Sequence, residues 1–129
     1  MKLSTHQQIF TQNVGLLIIK ANSLGVNLTF GEAYRTMDQQ DLYYHGKTIR
    51  FEDYHLELIS AKKRTNTLSS YHLKRLAVDF NFFVNGRLIY SHPLVRQLGS
   101  YWEKLDPLNR WGGHFTNFYD APHFEMAIK

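Results

Sequence analysis

The segment Ala77–Val84, followed at once by Asn85-Gly86, constrains the fold more than any other stretch of the chain. Side chains alternate along a strand, so Val78, Phe80, Phe82 and Val84 share one face while Ala77, Asp79, Asn81 and Phe83 share the other. Asn-Gly supplies the two positive-φ residues of a type I′ turn, so Arg87–Tyr90 is predicted to return antiparallel. A two-stranded ribbon cannot bury such an apolar face alone, and helices must cover it. Ile9, Phe10, Val14, Leu17 and Ile18 recur at helical spacing. Ser4 and Gln7 precede them as a capping box with Ser4 as N-cap, and Gly25 is placed to end that helix. Pro93 opens a second helix with Leu94, Leu98, Tyr101, Trp102 and Leu105 on one stripe, stopped by Pro107. Val26, Leu28 and Phe30 alternate in a strand predicted to continue to Arg35, and Asp38–Tyr44 reads as a short helix closed by Gly46. Residues 45–70 read as polar, mixed sequence ending in a loop, and the chain finishes as loop plus a strand near His123–Ile128. Without repeat or linker, residues 1–129 are expected to form a single small α+β domain. Its helices pack on a central antiparallel sheet.

Composition narrows the chemistry. There is no cysteine among the 129 residues, which excludes disulfides, iron–sulfur clusters and thiolate zinc sites. Any metal must be held by carboxylates and by some of the seven histidines. No apolar run is long enough to cross a bilayer. The polar start, Met1 to Gln8, is no signal-peptide core, so accumulation in the cytoplasm is expected. Residues 1–60 carry five basic and six acidic side chains, net −1, whereas residues 61–129 carry ten and five, net +5. Lys62-Lys63-Arg64 and Lys74-Arg75 dominate that excess and suggest an anionic partner, against the simpler reading of a solvated basic face.

Three polar features stand apart. Asp79 lies on the strand face opposite the aromatic residues. His72 precedes it by seven positions and can converge on it only if residues 73–76 turn. Asp120-Ala121-Pro122-His123 sets a carboxylate three residues before a histidine, with a proline that forbids a helix interior. His72, Asp79 and His123 are the residue types of a catalytic zinc site with an open position. Seven histidines permit many such triples, and a surface His72 beside a structurally paired Asp79 is the competing reading. His6, His45, His55 and His92 fit surface or structural roles, and His114 is a candidate to line a cleft. Trp111 is expected to pack at the cleft floor, and Glu125 alternates with Phe124 in the last strand.

Ser70-Tyr71-His72, Ala77-Val78-Asp79, Trp111-Gly112-Gly113 and Asp120-Ala121-Pro122-His123-Phe124-Glu125 together resemble the signature of a zinc peptidase family. That family contains D-alanyl-D-alanine carboxypeptidases and dipeptidases and the L-alanyl-D-glutamate endolysins of bacteriophages. Gly31–Thr36 with Gln39 resembles its upstream arginine segment, and the compact size is most similar to the phage endolysin branch. The resemblance implies a zinc site in a cleft, with Zn²⁺ held by His72, Asp79 and His123 and with Asp120 as catalytic base. It implies Arg35 as stabiliser of the developing oxyanion or grip for a substrate carboxylate, and Ser70 as a substrate contact or as a support for the adjoining ligand His72. The substrate implied is the stem peptide of peptidoglycan, cut by a zinc-activated water at the L-Ala–D-Glu bond or, alternatively, at D-Ala–D-Ala. A monomer is expected, released to the wall by another protein and drawn to its anionic surface, with no membrane or nucleic-acid partner. One departure is Arg75, where many members have glycine, which is expected to alter the turn after His72. Two rivals come from other classes. A ferrous oxygenase lacks its usual His-x-Asp spacing here, and a basic nucleic-acid-binding domain would use Phe80, Phe82 and Phe83 as a stacking platform.

Overall fold

The computed structural model describes residues 1–128. Ala77–Val84 forms the strand expected of it and is the axis of the fold. We label the elements α1 (Leu3–Ser23), β1 (Asn27–Phe30), α2 (Met37–His45), β2 (Lys47–Glu52), β3 (His55–Ser60), β4 (Ala77–Val84), β5 (Arg87–Ile89), α3 (Pro93–Leu105), β6 (Asn109–Trp111) and β7 (His123–Met126). Short 3₁₀ turns cover Tyr71–Lys74 and Gly112–His114. The main sheet is antiparallel in the order β1-β4-β7-β6, with β5 returning on β4 through Asn85 and Gly86, both at positive φ. Val78, Phe80 and Phe82 face α1 and α3 and join Phe10, Leu17, Val95, Leu98, Trp102, Phe124 and Met126 in one core. The Trp102 ring lies 5.5 Å from Phe10 and 5.8 Å from Phe124, edge-on to both, so one indole ties the two helices to the sheet. The architecture is the expected α+β one. No helix among the described residues is long and apolar enough to cross a membrane.

Three local expectations are corrected. Ser4 lies inside α1, whose N-cap is Lys2 with no side-chain hydrogen bond. Gln7, freed from a capping role, donates 2.8 Å to the Lys74 carbonyl. The first strand stops at Phe30 rather than Arg35, because Gly31 and Glu32 bond the Asp79 backbone in an irregular crossing (Gly31 N–H to Asp79 O and Asp79 N–H to Glu32 O, both 2.8 Å). A Cβ at Gly31 would stand 3.1 Å from that of Asp79, so the approach favours glycine. Residues 47–60, read only as polar, mixed sequence, form the β2–β3 hairpin. Its turn residues Asp53 and Tyr54 take positive φ without glycine, and its apolar face (Ile49, Phe51, Leu56, Leu58) stays exposed. The turn after His72 runs through Arg75. It adopts the left-handed conformation itself (φ 56°, ψ 37°), and its guanidinium lies 4.0 Å over the Tyr34 ring. That stacking, worth about 0.5–1 kcal/mol, offsets part of the roughly 1–2 kcal/mol that a left-handed non-glycine residue costs.

Trp111 sits in a slot that only glycines can make. A Cβ on Gly99 would come within 2.1 Å of its indole and one on Gly113 within 2.2 Å. Gly15, by contrast, is exposed in the middle of α1 with nothing near its missing Cβ. Gly99→Ala should therefore destabilise the protein by about 3 kcal/mol through overpacking, while Gly15→Ala should stabilise it by about 0.5–1 kcal/mol through helix propensity. Urea denaturation of the two variants checks the opposite signs, and a neutral Gly99→Ala would mean that the slot is not closed.

Candidate metal centre and cleft

Antiparallel pairing of β4 with β7 sets Asp79 directly opposite His123, with Val78 opposite Phe124 and Ala77 opposite Glu125. Alternation then sends Phe124 and Met126 into the core and His123 and Glu125 to the opposite face, beside Asp79. His72 arrives from the 3₁₀ turn, capped by the Ser70 Oγ, which accepts from the His72 N–H at 3.2 Å. The turn closes through Leu76 N–H to Tyr71 O at 2.9 Å. This is the turn on which convergence of His72 and Asp79 depended.

Ligand atoms of His72, Asp79 and His123 all lie within 4.8 Å of one another. His72 Nε2 is 3.3 Å from Asp79 Oδ2, and His123 Nδ1 is 3.2 Å from Asp79 Oδ1. The far nitrogen of each ring is already committed. His72 Nδ1 lies 2.8 Å from the Ala33 carbonyl and can only donate to it, and His123 Nε2 donates 2.6 Å to Glu125 Oε1. In the neutral tautomers so fixed, the inner nitrogens present lone pairs toward the Asp79 carboxylate. Two lone pairs and an anion converging on one point suit a divalent cation, and without one a proton must sit between them. The residues present therefore fit a metal.

The electrostatics agree. Burial works against the Asp79 anion, but hydrogen bonds from His123 and His72 hold its carboxyl well below the usual range. Burial likewise works against the His123 cation, yet Asp79 and Glu125 push the imidazole up to about 9. Glu125 is lowered against its burial by His123 and by Arg110, whose Nη2 lies 2.5 Å away.

Beside the cluster runs a cleft of about 760 Å³ lined by Arg35, Ser70, Trp111, His114 and Asp120 among others. Asp120 is placed by its backbone. Its N–H donates to Gly112 O at 3.0 Å, and the Trp111 indole N–H donates to Ala121 O at 2.8 Å. A Cβ on Gly112 would meet Asp120 O at 2.1 Å, so this loop packs against bare backbone. Burial raises the Asp120 pKa, His123 opposes the rise and Asp79 adds to it, and no hydrogen-bond donor among the described residues holds the carboxylate. A carboxylate so placed is suited to accept a proton.

Arg35 also lines the cleft, but it is less free than the sequence suggested. Its Nε pairs with Glu32 and its Nη1 donates 2.8 Å to Gln40, leaving Nη2 without a protein partner among the described residues. Ser70 lines the cleft while capping the turn. Trp111 is buried as expected, and His114 pairs with Glu103 at 2.8 Å on the cleft wall. His92 caps α3, accepting from the Leu94 N–H at 3.1 Å. Glu125, which its alternation with Phe124 made a candidate to support a ligand histidine, meets His123 Nε2 at 2.6 Å. Glu32, Gln40 and the Ala33 carbonyl carried no signal, because their roles come from the irregular crossing at Gly31.

The sequence of residues 63–126 matches the family model described as D-alanyl-D-alanine carboxypeptidase. The matched span contains His72, Asp79, Asp120 and His123 but not Arg35. Among solved structures the chain resembles the Serratia marcescens L-Ala D-Glu endopeptidase ChiX, with a TM-score of 0.58 and 21% identity. The likeness covers 79% of this chain and 68% of that one and concerns the fold. No curated protein matches the chain. With these motif residues gathered at one cleft in the expected fold, the match over residues 63–126 supports the resemblance to the D-alanyl-D-alanine carboxypeptidase family of peptidases.

Proposed function

We propose that the protein is a zinc peptidase acting on the stem peptides of peptidoglycan, with L-Ala–D-Glu as the bond cut. The observation that carries the metal assignment is the convergence of His72, Asp79 and His123 within 4.8 Å, with the outer nitrogen of each imidazole already engaged. The name of the Serratia structure favours the L-Ala–D-Glu bond, and the description of the matched family favours D-Ala–D-Ala as the second reading.

His72, Asp79 and His123 would hold the metal, with Ala33 O and Glu125 fixing the ring orientations. When bound, zinc supplies a Lewis acid that polarises the peptide carbonyl and lowers the pKa of water. Asp120 takes the proton from the attacking water as its oxygen joins the carbonyl carbon. The same carboxyl then gives that proton to the leaving nitrogen as the C–N bond breaks. The free Nη2 of Arg35 would meet the charge that develops on the carbonyl oxygen, and the pairing of this side chain with Glu32 and Gln40 holds it in place beforehand.

The assignment makes the roles separable. Asp120→Asn should keep one zinc per chain and cut turnover by roughly 10²-fold or more, whereas His123→Ala should lose the metal as well. Metal analysis beside mass analysis of digested peptidoglycan decides both the roles and the bond. New N-terminal D-Glu supports the first reading and released D-Ala the second. Zinc retained at full activity in His123→Ala would refute the ligand set.

The titration of His123 gives a second test. In metal-free protein its pKa is raised from 6.5 to about 9. It therefore contributes stability that is full below pH 6.5 and lost as the pH rises through 9. Thermal melts in chelator should decline across that window, and His123→Gln should flatten the decline. Added zinc should reverse the slope, because metal competes with the same proton. Melts of the chelated parent that do not change with pH would overturn the reading.

The basic stretch around Lys62, Lys63 and Lys74 is proposed to draw the domain to the anionic wall. Exposed charges are screened beyond about 8 Å at physiological salt. Activity on intact wall should therefore fall with salt more steeply than activity on a small muropeptide, and Lys62→Gln with Lys63→Gln should narrow the difference. Equal salt dependence on both substrates would leave these lysines as a solvated face.

A further inference from the structure

Three guanidiniums line the cleft, and their surroundings differ. Arg35 is matched by Glu32 and braced by Gln40. Arg110 is matched by Glu125. Arg64 meets no carboxylate at ion-pair distance among the described residues. It is nevertheless tethered. Its backbone N–H donates to Tyr43 O at 3.1 Å, and its Cζ lies 5.7 Å from the Tyr43 ring centroid. Tyr43 is itself fixed, since its hydroxyl donates 2.9 Å to Glu32 Oε2 and Arg35 lies over the same ring at 5.0 Å. The basic run thus divides in two. Lys62 and Lys63 do not line the cleft, and Lys63 lies over Tyr44 at 4.5 Å, whereas Arg64 faces the cleft with its charge unspent.

Most acids of the cleft already have basic neighbours. Asp79 has the two imidazoles, Glu103 has His114, and Glu125 has Arg110 and His123. Asp120 has no such contact. An anionic substrate group entering beside Asp120 would need a cation that is not already neutralised, because an unpaired charge in a partly desolvated cleft is costly. Both bonds considered above carry a carboxylate close by. One is the free α-carboxylate of a γ-linked glutamate, and the other is the terminal carboxylate of the last residue.

The geometry points to Arg64 as a carboxylate-binding subsite at the cleft mouth, selecting peptides whose carboxylate next to the cleaved bond is free rather than amidated. This rests on the peptidase reading and deepens it. A guanidinium suits the task because its fork of donors can meet both carboxylate oxygens, and the Tyr43 ring limits the freedom it must give up.

The test uses the zinc-loaded protein and soluble stem peptides in two matched pairs. In one pair the glutamyl α-carboxylate is free or amidated, and in the other the terminal carboxylate is free or amidated. For the pair whose cleaved bond lies beside the varied group, Arg64→Gln should raise KM about tenfold on the free acid. It should leave KM on the amide and kcat on both nearly unchanged. Arg64→Lys should recover part of the loss, and Lys62→Gln with Lys63→Gln should change neither. An equal rise in KM on acid and amide, or no rise on the acid, overturns the subsite. If the parent cleaves none of the peptides, the peptidase reading fails on its own, and calorimetric binding of the same peptides then decides the subsite. A preference for the acid that Arg64→Gln abolishes sustains it, and no preference in the parent overturns it.

Discussion

The register of β4 against β7 is the constraint on which the fold and the site both depend. With Asp79 opposite His123 and Val78 opposite Phe124, one face of the pair is aromatic core and the other is the candidate metal centre. A slip by one residue would expose Phe80, Phe82 and Phe124 and drive Asp79, His123 and Glu125 into the core. Each of those aromatic rings stabilises the fold by about 2–3 kcal/mol through burial, so the core enforces the pairing that the site requires. Conversely, three charged or polar groups on one short stretch of sheet can stay partly buried only because they satisfy one another.

Trp111 plays the corresponding role for the loop that carries Asp120. Its indole is clasped by Gly99 and Gly113, and its N–H reaches Ala121 O, so a core side chain dictates where the 120–122 backbone runs. Gly112 then lets that backbone lie against the 3₁₀ turn. Pro122 continues the tie, its carbonyl accepting from Phe80 N–H at 2.9 Å. Asp120 is therefore placed by contacts made on both sides of it and by none to its own carboxylate, which leaves the group free for chemistry.

What could be read from the sequence follows from where the physics is local. Strand β4, its Asn-Gly turn and α3 were legible because alternation, turn chemistry and proline placement act over a few residues. The metal cluster was legible as a pattern of motifs, but its assembly depended on a turn at 73–76 that the sequence only permitted. The β2–β3 hairpin was not legible, since its turn holds Asp53 and Tyr54 where glycine or asparagine would have announced it. Its Ile49, Phe51, Leu56 and Leu58 alternate correctly, but they face solvent, so they carry no pattern set by burial. Arg75 takes the left-handed conformation itself, with its guanidinium over the Tyr34 ring forty-one positions away, a contact that no local pattern announces. The anchoring of Arg35 was hidden for a similar reason, because Glu32 and Gln40 meet it only after the chain leaves the sheet at Gly31.

The pairing of its acids is what would let the cleft accept the proposed anionic group although its centre is rich in carboxylates. Glu103, Asp79 and Glu125 are held by histidines or arginine, so their fields are largely cancelled at short range. A divalent cation among His72, Asp79 and His123 would tip the local balance toward positive charge and replace the proton that otherwise holds His123 against Asp79. Such a cation would favour the Asp120 anion and oppose the rise that burial imposes. The metal would thus lower the pKa of the very carboxylate that must accept a proton beside it. Burial raises the pKa of the Asp120 carboxyl and a filled site would oppose that rise, so the direction of its shift is tied to occupancy by the placement of Asp120 itself.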